Sequence, residues 1–346
     1  MQKDRIKSEI EISSRTDITT NKNKAIVKLL IKIVVSVFVI VYLFLKYDIL
    51  ETFGLLLKIK WTQLAVIIII TILSYFVAAF KWKMIYPYIS IFRLVKVNLI
   101  GQFYSLVLPG QLFGEAAKIV YLRNEASNLD CAGGTPRLAA SVVMDKITGL
   151  IGLLIIGGIG LLFSGSLIRK TYFSTIVLIV FTVLLISLIL LRFPLFINLL
   201  SRIYKGMEQK SIMIPVVGKL RCFTDAWAGY STQPRILIYS VMSGIVYQSI
   251  LVGVHIACGL CFNISLPFID WSWILCMLSI LVLLPLSIGG IGIREGGYIA
   301  AMSFLNISAE TALAFSLLMF SVQILFAVGG LLILVMSSLK KSVKDY

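Results

Sequence analysis

The sequence predicts an all-α, polytopic membrane protein, on three observations. First, 59% of its 346 residues are apolar and only 14% are charged, against about 45–50% and about 25% in soluble chains. A globular surface needs more polar cover than that leaves, so a soluble enzyme and a disordered chain are both excluded. Second, the apolar residues form continuous runs of roughly 20, the length of a crossing helix, rather than alternating runs of about 10 as in a β-barrel. Third, two apolar regions are broken midway by proline and several glycines beside charge.

In chain order, residues 1–25 are polar and mixed in charge. They read as a cytoplasmic tail before an uncleaved first span, because no small-residue cleavage site follows. Six segments are long enough to cross: 26–45, 62–80, 138–163, 173–191, 236–260 and 311–336. The broken regions are 97–122 and 271–304. The linker 192–235 carries Arg192, Arg202, Lys205, Lys210, Lys219, Arg221 and Arg235 between apolar residues, the pattern of an amphipathic helix on the inner membrane surface. Residues 47–60 read the same way outside. Together 26–338 form a single membrane domain, followed by a cytoplasmic tail, 339–346.

Charge orients these elements. Lys and Arg number 32 against 16 Asp and Glu, a formal charge of +16. In a membrane protein such an excess marks cytoplasmic loops and anionic lipid contact rather than nucleic acid. Both tails are basic, so both termini are expected in the cytoplasm of a multi-pass protein of the cell membrane. The basic segments 81–96 and 192–235 belong on the same side. Region 97–122 must then enter from the cytoplasm and return there, and region 271–304 must enter from outside and return outside. The expectation is six full spans plus two oppositely oriented re-entrant helical hairpins. Arms of about 12 residues, or about 18 Å, reach roughly half a bilayer. Eight full crossings with kinked helices are the alternative, at odds with the basic linker 192–235.

Backbone groups freed at membrane depth are tolerated only where protein or a water-filled cavity satisfies them. A pair of such breaks in corresponding halves points to a midplane binding site. At the first break Pro109 ends one arm, Gly110 and Gly114 permit the reversal, and Glu115 and Lys118 open the return arm. Glu115 is open to two roles, helix N-terminal carboxylate or titratable cavity group. At the second break stand Pro285, Gly289, Gly290, Gly292, Arg294, Glu295, Gly296 and Gly297. Arg294 is the only Lys or Arg between Arg235 and Lys340. It either pairs internally, with Glu295, Glu115 or Asp145, or holds a phosphate with its fork. Asp145 and Lys146 lie within the span 138–163, about 11 Å from its cytoplasmic end. Gln248 and His255, seven residues apart in 236–260, are secondary site residues. Cys258 and Cys261 form a lone CxxC that reads as packing, and neither metal nor cofactor is expected.

These motifs resemble a known family. The segments LPGQLFGEAAKIVYL at 108–122, AASVVMDKITGLIGLL at 139–154, LPLSIGGIGIREGGYIAA at 284–301 and ALAFSLL at 312–318 are similar to the flippase-like transmembrane region of lysylphosphatidylglycerol synthases. The resemblance covers about 25–338 and implies lipid translocation, or a role in building glycolipids or polyprenyl-linked sugars. No C-terminal aminoacyl-transferase domain follows here, so lysyl transfer is not expected and a transporter is favoured over an enzyme. Residues and resemblance together favour flipping of an anionic phospholipid or a polyprenyl-phosphate-linked lipid, with Arg294, Glu295, Glu115, Asp145, Lys118 and Lys146 lining the path. The other readings are a membrane-embedded transferase using Glu115, Asp145 and Glu295 as acid or base, and a non-catalytic partner of a cytosolic glycosyltransferase.

Overall fold

A computed structural model describes residues 45–108, 112–127, 134–164, 214–231, 233–283, 287 and 289–344, with isolated residues 42, 179, 182 and 186. Among the described residues there are ten helices and no strand: α1 (Ile49–Leu57), α2 (Trp61–Ile85), α3 (Ile91–Val107), α4 (Leu112–Ser127), α5 (Gly134–Phe163), α6 (Ile214–Ser231), α7 (Pro234–Leu260), α8 (Phe268–Leu283), α9 (Ile293–Ser303) and α10 (Ala309–Lys344). Four of them are long and apolar enough to cross a membrane: α2, α5, α7 and the Ala309–Leu339 part of α10. They correspond to the expected spans 62–80, 138–163, 236–260 and 311–336. The expected spans 26–45 and 173–191 fall, apart from isolated residues, outside the described residues.

Local chemistry sets the ends of these elements. Asp48 caps α1, its Oδ1 accepting from the N–H groups of Leu50 and Glu51 at 2.8 and 3.1 Å. Proline crowds the residue before it out of helical geometry. Tyr86, before Pro87, accordingly leaves the helix after α2, and Leu108, before Pro109, is extended at φ −92°, ψ 148°. Pro234 opens α7, where a missing N–H costs nothing. Gly289, Gly290 and Gly292 have φ of 59°, 78° and 85°. That left-handed turn into α9 is one that L side chains adopt only at a cost of roughly 1–2 kcal/mol per residue.

Both broken regions fold as antiparallel helical hairpins. In the first, Arg93 near the start of α3 bonds Tyr121 and Glu125 near the end of α4. Near the tip, a Cβ on Gly114 would collide with the Gly101 carbonyl oxygen, so these arms touch backbone to backbone. The arms have 17 and 16 residues, longer than the dozen expected, because 91–96 and 123–127 are helical too. In the second, Gly297 of α9 lies against Leu278 and Leu281 of α8. Those arms have 16 and 11 residues. The tip residues Pro109, Gly110 and Pro285, read as hinges in the sequence, lie outside the described residues.

The helices assemble around α5 and α7. Helix α7 packs on α2, α5 on α7 and α8, and α3 on α10. The largest buried cluster joins α5, α7, α8, α9 and α10 around Trp271, Phe315 and Met302. A smaller one seats Trp227 and Tyr230 of α6 against Ile85, Ala140 and Met144. This part of the linker is thus helical, as its amphipathic pattern predicts. Its aromatic face docks on α2 and α5.

Candidate functional site: a cavity between the two hairpins

The two breaks meet. A Cβ on Gly289 would lie 2.9 Å from the Leu106 carbonyl oxygen at the end of α3, so the second break rests on the tip of the first hairpin. Beside this contact is a cavity of about 380 Å³, to which α2, α3, α4, α5, α7, α8, α9 and α10 all contribute side chains. Its polar lining has two ends of different chemistry.

At the first-hairpin end, Glu115 Oε2 pairs with Lys118 Nζ at 2.9 Å and Glu115 Oε1 with Lys146 Nζ at 3.8 Å. Helical spacing places Lys118 one turn after Glu115, while Lys146 reaches in from α5. Lys81 of α2 pairs with Asp145 Oδ1 at 3.1 Å and donates to the Asp145 carbonyl at 2.7 Å. Its ammonium is buried, with 5% of the side chain exposed. Lys118 Nζ also stands 5.6 Å over the Trp82 ring. Among the described residues three ammonium groups therefore share two carboxylates, a formal excess of one positive charge at this end.

At the second-hairpin end the charge balances. Arg294 Nε and Nη2 donate to Glu295 Oε1, both at 3.3 Å, and Nη1 donates to Gln323 Oε1 at 2.7 Å. The guanidinium carbon lies 4.3 Å from the Phe320 ring centroid. Glu295 Oε2 accepts from the Gly292 N–H, and Oε1 also accepts from Ser316 Oγ at 3.3 Å. Glu295 thus closes the turn made by the positive-φ glycines and neutralises Arg294 at once. Nearby, the Leu251 carbonyl takes the Nδ1 proton of His255 at 2.8 Å, which leaves Nε2 to accept from the Tyr298 hydroxyl at 2.8 Å. A neutral His255 satisfies both contacts.

Of the site residues read from the sequence, Glu115, Lys118, Asp145, Lys146, Arg294, Gln248, His255, Gly289 and Gly290 line this one cavity. Glu295 stands behind Arg294; Gly114 and Gly292 shape the hairpins without lining the cavity, and Gly296 lies within α9 with open space where a Cβ would point. Among the three partners open to Arg294, the structure selects Glu295. Lys81 escaped the sequence reading because it was counted with the basic loop 81–96. A signal was present, since Thr71, Ser74, Ala78 and Lys81 recur at spacings of three and four and all face the cavity. Asn98 and Tyr298, also on the wall, lacked such a signal. Among the described residues no group of three His, Cys, Asp or Glu side chains is placed to hold a metal. Cys258 is a buried thiol in the core.

Apolar helices of crossing length around a cavity with charged side chains in its wall define a multi-pass membrane protein. The family model described as the lysylphosphatidylglycerol synthase TM region matches residues 29–329. The chain belongs to that family, and its function concerns membrane lipids. No curated protein and no solved structure matches the chain.

Proposed function

We propose that the protein moves an anionic lipid across the cell membrane, the headgroup passing through the cavity while the tails stay in the bilayer. The carrying observation is the meeting of two breaks over one polar cavity whose lining has a positive excess. In this reading both hairpins are re-entrant, the first from the cytoplasm and the second from outside, and both termini are cytoplasmic. The phosphate passes Arg294 at one break and the lysines at the other. Opposed helical hairpins leave only their tips to rearrange when access changes sides, which suits a carrier built from oppositely oriented repeats. The sequence has no Walker A motif, so the driving force is the lipid gradient, an ion gradient or a partner.

Reconstitution tests it. Proteoliposomes containing a headgroup-labelled anionic lipid are exposed to an impermeant quencher. The expected result is lipid exchange between leaflets well above the rate in protein-free vesicles. An equal rate would refute translocation. The topology has its own test: a single cysteine introduced at Asn128 is expected to label only from the cytoplasmic side.

A further inference from the structure

We infer that the seam between α2 and α10, closed by the stacked rings of Tyr75 and Phe326, is the lateral slot through which the glycerol neck of a membrane lipid passes while its headgroup occupies the cavity. The inference rests on the reading of this cavity as a headgroup path and deepens it.

A headgroup inside the protein and tails in the bilayer are joined by a neck, and the neck needs a way through the wall. Much of the wall cannot part without moving whole helices. A Cβ on Gly330 of α10 would collide with the Leu99 carbonyl oxygen of α3. One on Gly152 of α5 would lie 2.7 Å from the Gly244 carbonyl carbon of α7, and one on Gly160 of α5 would lie 2.8 Å from the Ile269 carbonyl oxygen of α8. In a membrane such close backbone approach at small residues is what holds helices together, and a gap opened there forfeits the contacts outright.

Between α2 and α10 the construction differs. Helix α2 packs on α3 and α7, and α10 packs on α3 and α9, but α2 and α10 are not packed helix to helix. They meet through side chains. The Tyr75 and Phe326 rings stack with centroids 5.1 Å apart and planes 21° apart. Both rings line the cavity. Both also stand near the middle of their helices, at the depth a crossing headgroup has to pass. Rotation of two side chains opens this seam with both backbones in place. A stacked aromatic pair favours the closed arrangement by a factor of only about two to ten.

The chemistry on either side of the rings fits a lipid neck. On the cavity side, Ser74 precedes Tyr75, and Gln323, which accepts from Arg294, stands one turn before Phe326. On the outer side, Ile72 and Leu325 are exposed. The rings therefore mark the border between a polar interior and an apolar surface. The glycerol ester region of a lipid is the part that joins a polar headgroup to apolar chains, so it is the part that crosses such a border.

The test uses the full-length protein in vesicles of phosphatidylcholine and phosphatidylglycerol, with a trace of phosphatidylglycerol carrying a diazirine on its headgroup. A short bifunctional thiol reagent, cleavable by reduction, staples a Tyr75→Cys, Phe326→Cys double variant. The staple is expected to lower both leaflet exchange and photolabelling of the cavity-lining parts of α2 and α10 by at least about tenfold, and reduction to restore both. The same reagent on wild type and on each single variant is expected to change neither, which removes the native cysteines as a cause. Phe326→Leu keeps an apolar side chain but loses the stack, and is expected to raise exchange by about two- to tenfold. Photolabelling of the cavity indifferent to the staple would overturn the slot. Exchange at or below the wild-type rate in Phe326→Leu would show that the ring pair is not the barrier and would overturn it as well. Staple-sensitive photolabelling without leaflet exchange in any form of the protein would keep the slot and remove the transport reading. Exchange with staple-insensitive photolabelling would do the reverse.

Discussion

The two hairpins solve the same problem, charge beside a broken helix, in opposite ways. In the second, Arg294 and Glu295 are neighbours in sequence, 5% and 4% exposed, and Glu295 also accepts from Gly292 and Ser316. The pair is neutral, hydrogen-bonded through all three guanidinium nitrogens, and contained within one element and its immediate packing. In the first, Glu115 has two lysines as its partners among the described residues, one on its own helix and one on α5, and Glu115 and Lys146 keep 22% and 30% of their side chains exposed. That group is positive in sum and spread over three helices. A closed neutral pair stabilises a shape, whereas an open group with an excess charge can exchange a carboxylate for a ligand anion. Under the proposed function, the second break holds the cavity's form and the first meets the ligand.

Substitutions that break this contrast have graded effects. The largest is Glu295→Ala, which leaves Arg294 and the Gly292 N–H without their acceptor. Breaking a buried pair from one side costs about 3–5 kcal/mol, so detergent-solubilised protein should show a large drop in thermal midpoint or fail to accumulate. An unchanged midpoint would remove the structural role of the second break. Next is Arg294→Lys, which keeps the charge but loses the fork joining Glu295 to Gln323. A loss of about 1.5–3 kcal/mol is expected, with leaflet exchange falling alongside stability. Exchange that fell with stability intact would return Arg294 to direct phosphate contact.

Glu115→Gln sharpens the comparison from the other side. It raises the excess at the first break by one charge and leaves both lysines in place. The expected cost in stability is small, about 0.5–1.5 kcal/mol, while leaflet exchange should show an altered pH dependence and anionic lipid should be held longer. Wild-type exchange across pH would show that Glu115 only ends a helix. The smallest effect is at the rim of the same hairpin. The Arg93–Glu125 pair is 33% and 42% exposed, and Glu125→Gln should move the midpoint by the roughly 0–1 kcal/mol typical of surface pairs. A larger shift would mean that the hairpin depends on its open end as much as on its tip.

How much of this could be read in advance depends on how local the signal is. Pro109 and the Gly289–Gly292 run announce breaks because their backbone effects act within a residue or two, whereas Gly114 lies inside α4 and serves the close approach to Gly101. The lengths of α2, α5, α7 and α10 follow from apolar runs. Glu295 is only one of three internal partners that the sequence offers Arg294, with a phosphate as the alternative. Neighbouring residues on a helix point about 100° apart and rarely meet; here the pairing follows from Glu295 folding back to cap Gly292. Lys81 looked like a loop charge, since nothing in its neighbourhood says that α5 brings Asp145 to it.

The sequence alone determined that this is an α-helical membrane protein, where its apolar runs are interrupted, and most of the acidic and basic residues that line the cavity, Lys81 excepted. Those follow from composition, periodicity and the stereochemistry of proline and glycine. Only the tertiary structure decided which charges face one another. It closed Arg294 on Glu295, left three lysines around two carboxylates, and turned Asn98 and Gln248 toward the same space. Those outcomes depend on how α2, α3, α4, α5 and α7 pack side by side, and packing joins residues far apart in the chain, as where the Tyr75 and Phe326 rings stack at 5.1 Å on the cavity wall.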